Sequence, residues 1–409
     1  MDRPRDATYT RLLYALALTC ALGWLFKAHC TGGGWTDLEQ YTTGCYTDAM
    51  PFWDGRGVSA GEVPYFQARL EYPVLTGALI WIEGTVSRLL FGARANAWAF
   101  LLMVTLANAL LSWLVLRLFW RAGMDVRRLW AWVLAPPLLL YIGHNWDMLA
   151  VAFAVAAVLL AREGRMVQSG AVAGLGFAAK LYPVLLVPLL GLQALFAGTA
   201  DWRKRLAGGI AIGAAAAGAW LLVNLPVAAF AFDNWLEFFR FSSERPGTVA
   251  SVWELAGYLF GWGTTIPQRN LYAALLFIAG AAAITGFGWR LHSERLWVLF
   301  TPVLAWFMLT NKVWSPQFDL WLYPMLLMTA PRLRPVAIFV VGDIAAYFAE
   351  FWWFAGMEGG WPSATPTDIA LVAAVRAAAM LWLIVDAVRL PPPAWLVSDA
   401  EAVPKAQPA

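Results

Sequence analysis

The stretch from Cys45 to Gly77, CYTDAMPFWDGRGVSAGEVPYFQARLEYPVLTG, carries four acids, Asp48, Asp54, Glu62 and Glu71, among aromatic residues. A carboxylate held just beyond an apolar helix, at headgroup level, can take a proton from a hydroxyl that arrives from the aqueous side. Asp48 is the first candidate for such a base and Asp54 the second; the plainer account is that these acids keep a loop solvated. Further along, His144, Asn145 and Asp147 fall together in HNWD, Lys180 ends an apolar run in AAKLYP, and Lys312, Trp314 and Gln317 share NKVWSPQF. Only five of the 29 basic residues are lysines. An ammonium at the end of an apolar helix needs water, an acid or an anion, and snorkelling to the interface is the bland alternative. Lys180 and Lys312 are therefore candidate phosphate holders. Arg245 joins them from NWLEFFRFSSERPGTVASVWEL, where Arg240 and Arg245 alternate with Trp235, Phe238, Phe239 and Trp253. Arginine forks suit phosphate and flat rings suit a sugar face or a lipid chain, although a helix resting in headgroups shows the same composition.

The scaffold that must position these residues is legible in the composition. Of 409 residues, 61% are hydrophobic and 13% charged, against roughly 25% charged in a soluble domain, which excludes a water-soluble globule. A net charge of +3 and a mean hydropathy of +0.60 exclude a disordered chain and a basic nucleic-acid groove. No HExxH, CxxC or Walker loop occurs, nor GxSxG or GxGxxG in a strand-turn-helix setting, so nucleotide-driven pumping and zinc hydrolysis lack support. No cofactor is expected and no compact metal-ligand cluster is visible, which leaves a divalent-metal requirement open.

Apolar runs fall at about 12–26, 96–118, 129–143, 146–161, 169–181, 183–198, 206–230, 270–289, 296–310, 317–330, 336–353 and 368–389. With about 20 apolar residues needed per crossing, the expectation is an all-α, polytopic membrane protein of about twelve helices. Runs such as 129–143, with Pro136 and Pro137, and 169–181 are short for a crossing, and short helices at membrane depth usually line a cavity. The first run, preceded by Arg3, Arg5 and Arg11, has the look of a signal peptide. Lys27 and His29 stand where small residues should mark cleavage, so it reads as an uncleaved helix entering from the cytoplasm.

The segment 73–91 is apolar enough to span yet carries Glu83 and Arg88. Wound as a helix, Thr76, Gly77, Glu83, Gly84, Ser87 and Arg88 fall within an arc of roughly 140°, the pattern of an interfacial helix. Loop charge favours the same choice: if 73–91 does not cross, 18 of the 29 basic residues lie on the inner side, as the positive-inside rule requires. Both termini are then cytoplasmic, and the long loops 28–95 and 231–269 face outward. A single domain, 1–389, is expected, with 390–409 a disordered cytoplasmic tail. Cys30 and Cys45 both fall on the oxidising side, where a disulfide or free thiols are about equally plausible. Arg376 stands within an apolar helix and should face inward and pair with an acid, Glu350 or Asp343.

Together, the acid loop YTDAMPFWDGRG leading to PYFQARLEYPVLTG, the pair NWDMLAVAF and GLGFAAKLYPVLLVPLL, then RPGTVASVWEL and NKVWSPQFDLWLYPMLL, resemble glycosyltransferase family 87. The resemblance implies a GT-C-like helical bundle with an outer-face interfacial helix. It implies a membrane enzyme of the bacterial plasma membrane that transfers a sugar, mannose first, from a polyprenyl-phosphate donor to a lipid-linked or cell-envelope glycan acceptor, with its active site on the outer face. The position matching the family's general base is Asp48, with Asp54 nearby. Lys180, Lys312 and Arg245 would hold the donor phosphate, and Glu71, Tyr72, His144, Asn145, Asp147, Trp314 and Gln317 would meet the sugar or acceptor. Partners would be the donor, the acceptor and membrane lipids, with no nucleic acid. The competing class is a secondary transporter or flippase, a common use of about twelve spans; sparse mid-membrane charge and large outer loops stand against it.

Overall fold

The structure, a computed structural model, describes residues 3–32, 34–197 and 200–397. In chain order its helices are α1 (Arg3–Ala28), α2 (Glu39–Thr42), α3 (Ala49–Gly55), α4 (Val74–Phe91), α5 (Ala97–Arg121), α6 (Val126–Val133), α7 (Pro136–Tyr141), α8 (Met148–Arg162), α9 (Met166–Ala179) and α10 (Leu186–Phe196). They continue as α11 (Trp202–Phe230), α12 (Phe232–Trp235), α13 (Glu237–Glu244), α14 (Val252–Phe260), α15 (Ile266–His292), α16 (Phe300–Thr310), α17 (Asp319–Thr329), α18 (Arg334–Met357) and α19 (Pro366–Arg389). Among the described residues each apolar run read from the sequence falls mainly on helix, and no strand occurs. Seven segments of the described residues are long and apolar enough to cross a membrane, and three shorter apolar helices, 148–162, 166–179 and 182–196, pack among them. The chain is a multi-pass membrane protein.

Side-chain caps start several of the helices. Asn96 accepts from Ala99 N at 2.9 Å to begin α5, and Thr265 and Thr365 form capping boxes with Gln268 and Asp368 at α15 and α19, satisfying amide groups that a helix leaves open at its first turn. Short α9 is drawn against α11 through small residues. A Cβ on Gly174 would stand 2.2 Å from Ala216 O, so only glycine admits this backbone approach, the usual device for helix association in lipid.

Two faces result. At one, Arg162 donates to Ala122 O and Leu396 O, Arg128 to Leu327 O and Ala330 O, and Arg332 pairs with Asp386, so the basic turns gather at the same end. The tail expected to be disordered from 390 is packed there through Val397: Arg162 also bonds Trp395 O at 2.6 Å and stacks on its ring. Residues 398–409, with Lys405, lie outside the described residues.

At the other face lies α4. By length and composition it could cross, but Thr76 bonds Ala179 O at the end of α9 at 2.7 Å, Glu83 accepts from Trp146 before α8 at 2.6 Å, and Arg88 bonds Val58 O in the first long loop. Twelve residues of helix cover about 18 Å, yet all three partners sit at one face. The helix therefore lies across the bundle ends, as its charge pattern foretold. Its polar arc turns inward: Thr76, Gly77, Glu83, Gly84 and Ser87 are buried, while Ile82, Leu89 and Leu90 are exposed. Inward burial follows from the close seat of the loop, since a Cβ on Gly77 would meet the Tyr65 hydroxyl at 2.2 Å.

Candidate active site

The first long loop is fixed before its acids are placed. Cys30 and Cys45 form a disulfide across 15 residues, and His29 stands beside it with Nε2 3.1 Å from Thr43 Oγ1. With both sulfurs bridged, neither is a thiolate that could ligate a metal. Beyond the disulfide, Thr47 Oγ1 donates to Gly143 O at 2.6 Å and Asp48 N donates to His144 O at 2.9 Å. Asn108 on α5 braces the same turn from below, donating to Ile142 O and Asn145 O at 2.8 and 2.7 Å. The acid loop and the HNWD turn are thus one backbone unit.

Asp48 precedes α3, whose buried side carries Ala49, Phe52 and Trp53. Its carboxylate is half-buried and accepts from the Tyr72 hydroxyl at 2.9 Å. Burial pushes it up to about 6, against the Tyr72 and Tyr46 hydroxyls and the Lys180 charge, which favour the anion. Asp54 lies six residues on, a rotation of about 600° that takes it off the face of Asp48, and it is exposed to solvent. Glu71 is engaged elsewhere, held by Arg56 through two bonds of 2.7 Å.

Asp147 is buried and bridges two elements: Oδ1 accepts from Lys180 Nζ and Oδ2 from Trp321 Nε1, each at 2.7 Å. Lys180 follows α9, with its ammonium 4.7 Å from the Tyr72 ring centroid and 5.5 Å from that of Trp321. So Lys180, Asp147, Tyr72 and Asp48 form a continuous chain of contacts. Asn145 Oδ1 accepts from Asp147 N at 3.1 Å and so shapes the turn. The His144 ring is buried against Tyr46 and Phe351, at 5.6 and 6.1 Å between centroids. Burial, with Lys27 and Lys180 nearby, holds its imidazole well below the ordinary value and therefore neutral.

The second long loop closes the other side. Thr248 N donates to Lys312 O at 3.1 Å, Trp314 N to Thr248 Oγ1 at 2.7 Å, and Trp253 Nε1 to Thr310 O at 2.9 Å, which zips RPGTVASVWEL onto NKVWSPQF. Lys312 Nζ donates to Ser243 O at 2.9 Å. The Arg245 guanidinium lies 5.2 Å from the Phe241 ring and has no acid or hydrogen-bond acceptor among the described residues. Burial lowers it from its ordinary value, and the nearby Tyr72 and Asp48 oppose that shift. Burial lowers Lys312 as well, with the neighbouring Arg245 and Arg269 charges adding to it. Gln317 is half-buried beside this strip.

Trp314 belongs to a deeper layer. Its Nε1 donates to Asp319 at 3.0 Å, and the Arg376 guanidinium lies 3.8 Å over its ring. Arg376 pairs first with Asp319, at 2.7 Å, and only at 3.9 Å with Glu350, while Asp343 is bonded by Tyr141 at 2.5 Å. The expected partner Glu350 on α18 is thus joined by a nearer acid at the start of α17, because the extended NKVWSPQ segment brings Asp319 under the site. Sequence reasoning passed over Asp319, Trp321, Tyr46 and Tyr347. The only signal for them was proximity to motifs already noted, as in YTDAM and SPQFDLW.

Of the sequence candidates, the structure brings Asp48, Tyr72, Asp147, Lys180 and Arg245 into one group, with Lys312 adjoining it. His144 and Asn145 support it from behind, and Glu71, Trp314 and Asp54 stand outside. The arrangement offers one carboxylate able to accept a proton and cations able to take an anion beside it.

A family model described as glycosyltransferase family 87 matches residues 70–316. No curated protein matches. Among solved structures, ArnT from Cupriavidus metallidurans in the apo state is similar at 15% identity, over 94% of this chain and 76% of that one, with a TM-score of 0.44.

Proposed function

We propose, from the premise that this chain belongs to glycosyltransferase family 87 and is a membrane glycosyltransferase, that it takes a sugar, mannose first, from a polyprenyl-phosphate donor and passes it to a hydroxyl of a lipid-linked or cell-envelope glycan. The transfer takes place at the outer face of a bacterial plasma membrane. The observation that carries this reading is the Arg245 guanidinium, partly buried and in no ion pair, yet near enough to the half-buried Asp48 carboxylate to feel its charge. A partly desolvated cation with no acid in contact is costly unless a ligand provides one, and a phosphate does so.

In the reaction the acceptor oxygen attacks the anomeric carbon while its proton passes to Asp48. The bond from that carbon to the phosphate oxygen breaks, its electron pair leaves with polyprenyl phosphate, and the configuration inverts. The donor phosphodiester carries one negative charge and the departing phosphate two. Arg245 and Lys312 therefore gain attraction as the bond breaks, and this selective stabilisation lowers the barrier. No acid is needed for the leaving group, unlike hydrolysis between paired carboxylates. Lys180 adds less net charge because Asp147 opposes it at 2.7 Å. Beside Tyr72, the aromatic residues Tyr65, Phe177, Trp220, Trp235 and Phe239 line a narrow crevice between α4, α9 and α11.

The test is reconstitution of the full chain in liposomes with polyprenyl-phosphate mannose and a lipid-glycan acceptor. Transfer is expected from the polyprenyl donor and not from a nucleotide sugar, and Asp48→Asn should lower kcat by about 10²–10⁴-fold. Undiminished transfer by Asp48→Asn would remove the base, and solute uptake with no transfer from any polyprenyl-phosphate sugar would overturn the reading.

A further inference from the structure

Lys27, the penultimate residue of α1, is fully buried and touches no carboxylate. Its ammonium instead has three neutral partners: Gly44 O at 3.2 Å, His144 Nδ1 at 3.4 Å and the Tyr347 hydroxyl. An ammonium has three N–H groups and no acceptor, so this set satisfies it completely. The rings of Phe26 and Tyr347 add cation–π contacts, each 4.9 Å from the nitrogen. A buried lysine is uncommon unless paired, and here the partners are the two backbone segments that meet at Asp48.

Those partners lie on both sides of one junction. Gly44 begins the acid loop in a left-handed conformation, φ +76°, and Tyr347 also donates to its carbonyl. His144 belongs to the opposing turn, and its own carbonyl receives the Asp48 amide at 2.9 Å. A Cβ on Gly143 would come within 3.1 Å of Lys27 Cγ, so the turn is pressed directly onto the lysine stem. A protonated Lys27 can only donate, so His144 Nδ1 then accepts, which leaves the ring proton on Nε2.

We infer that Lys27 is a positioning residue for the transfer reaction: it clamps the Gly44 carbonyl to the His144 ring so that Asp48 is held in register, and in its protonated form it fixes His144 as the neutral Nε2–H tautomer. The inference rests on the glycosyl-transfer reading for its kinetic consequence but not for its tautomer. A displacement of about 1 Å at a reacting group can cost on the order of 10²-fold in rate. The loss should fall on kcat, since neither Lys27 nor Tyr347 touches the cations proposed to hold the donor.

Two measurements on the full chain in lipid test this. In the first, Lys27→Met and Tyr347→Phe are compared with wild type for kcat and donor KM. Tyr347→Phe keeps the lysine charge and the ring and removes only one clamp on Gly44, so it remains informative if Lys27→Met does not fold. The expected result is a roughly tenfold to hundredfold fall in kcat with donor KM within about twofold. Wild-type kcat in Tyr347→Phe, or a loss confined to KM, would overturn the clamp. The second is ¹⁵N NMR of histidine-labelled protein, with His144 assigned among the three histidines by His144→Gln. Wild type should show an unprotonated Nδ1 and a protonated Nε2; the reverse assignment would overturn the inference. This readout needs no turnover, so a protein inactive with every polyprenyl-phosphate sugar would refute the proposed function while the spectrum still decided the role of Lys27.

Discussion

Two cations share the wall around Asp48 and are kept there in opposite ways. Lys180 bonds Asp147 at 2.7 Å, that acid is bonded again by Trp321, and the rings of Tyr72 and Trp321 cover the ammonium. Arg245 has none of this, only the Phe241 ring at 5.2 Å. A cation whose charge is already answered is suited to holding a shape, and one left partly desolvated without an answer is suited to an anion that arrives and leaves. On the proposed reading, Lys180 belongs to the framework that orients Tyr72 and Asp48, and Arg245 to the transient phosphate.

That difference can be broken at its stronger end first. Asp147→Ala removes a carboxylate that is almost wholly buried and strands the Lys180 charge, so unfolding stability in detergent should fall by about 3–5 kcal/mol. The double variant Asp147→Leu with Lys180→Met should cost less than the two single changes added together. Strict additivity of the unfolding free energies would mean that the pair is not coupled. Arg245→Ala should do the reverse, leaving the unfolding transition in place while kcat/KM for the polyprenyl-phosphate donor falls about 10²-fold, or roughly 2.7 kcal/mol. Lys312→Met should lose about tenfold, because its ammonium is already bonded to Ser243 O and only its charge reaches the phosphate. If Arg245→Ala unfolded the protein and Asp147→Ala left it stable, the division of labour would be wrong.

The sequence shows the scaffold well because membrane patterning is local. Apolar run length and the sidedness of arginine suffice to lay α4 across the helix ends and to put the basic turns at one face. It separates Asp48 from Asp54 poorly, because the choice depends on where α3 starts, and a shift of one residue rotates both acids by about 100°. The nearer partner of Arg376 was out of reach for another reason. Asp319 comes under Trp314 only through the extended path of NKVWSPQ, a long-range placement with no periodic signature. Lys27 was visible only as a residue out of place in a signal peptide; that Gly44, His144 and Tyr347 surround it is a property of three segments far apart in the chain. The unpaired state of Arg245 is likewise a statement about neighbours, and composition cannot supply it.

The finest test of the comparison is the pH dependence of Asp48. Burial raises its carboxyl to about 6, and Lys180 is the cation that most opposes the rise. A general base works only when ionised, so kcat/KM should climb as pH rises through about 6 and level off above it, since that profile reports groups of the free enzyme. Removing a neighbouring cation disfavours the anion, and Lys180→Met also leaves the Asp147 charge unopposed, which pushes Asp48 the same way. The acid limb should therefore move to higher pH in Lys180→Met, less in Arg245→Ala, and stay where it is in Lys312→Met, whose lowering comes from burial first and then from Arg245 and Arg269, and not from Asp48. A wild-type limb at the ordinary carboxylate value would mean that water reaches Asp48 freely in the working enzyme. A limb unmoved by Lys180→Met would mean that Asp147 neutralises the lysine so fully that Lys180 acts on Asp48 only through the position of Tyr72.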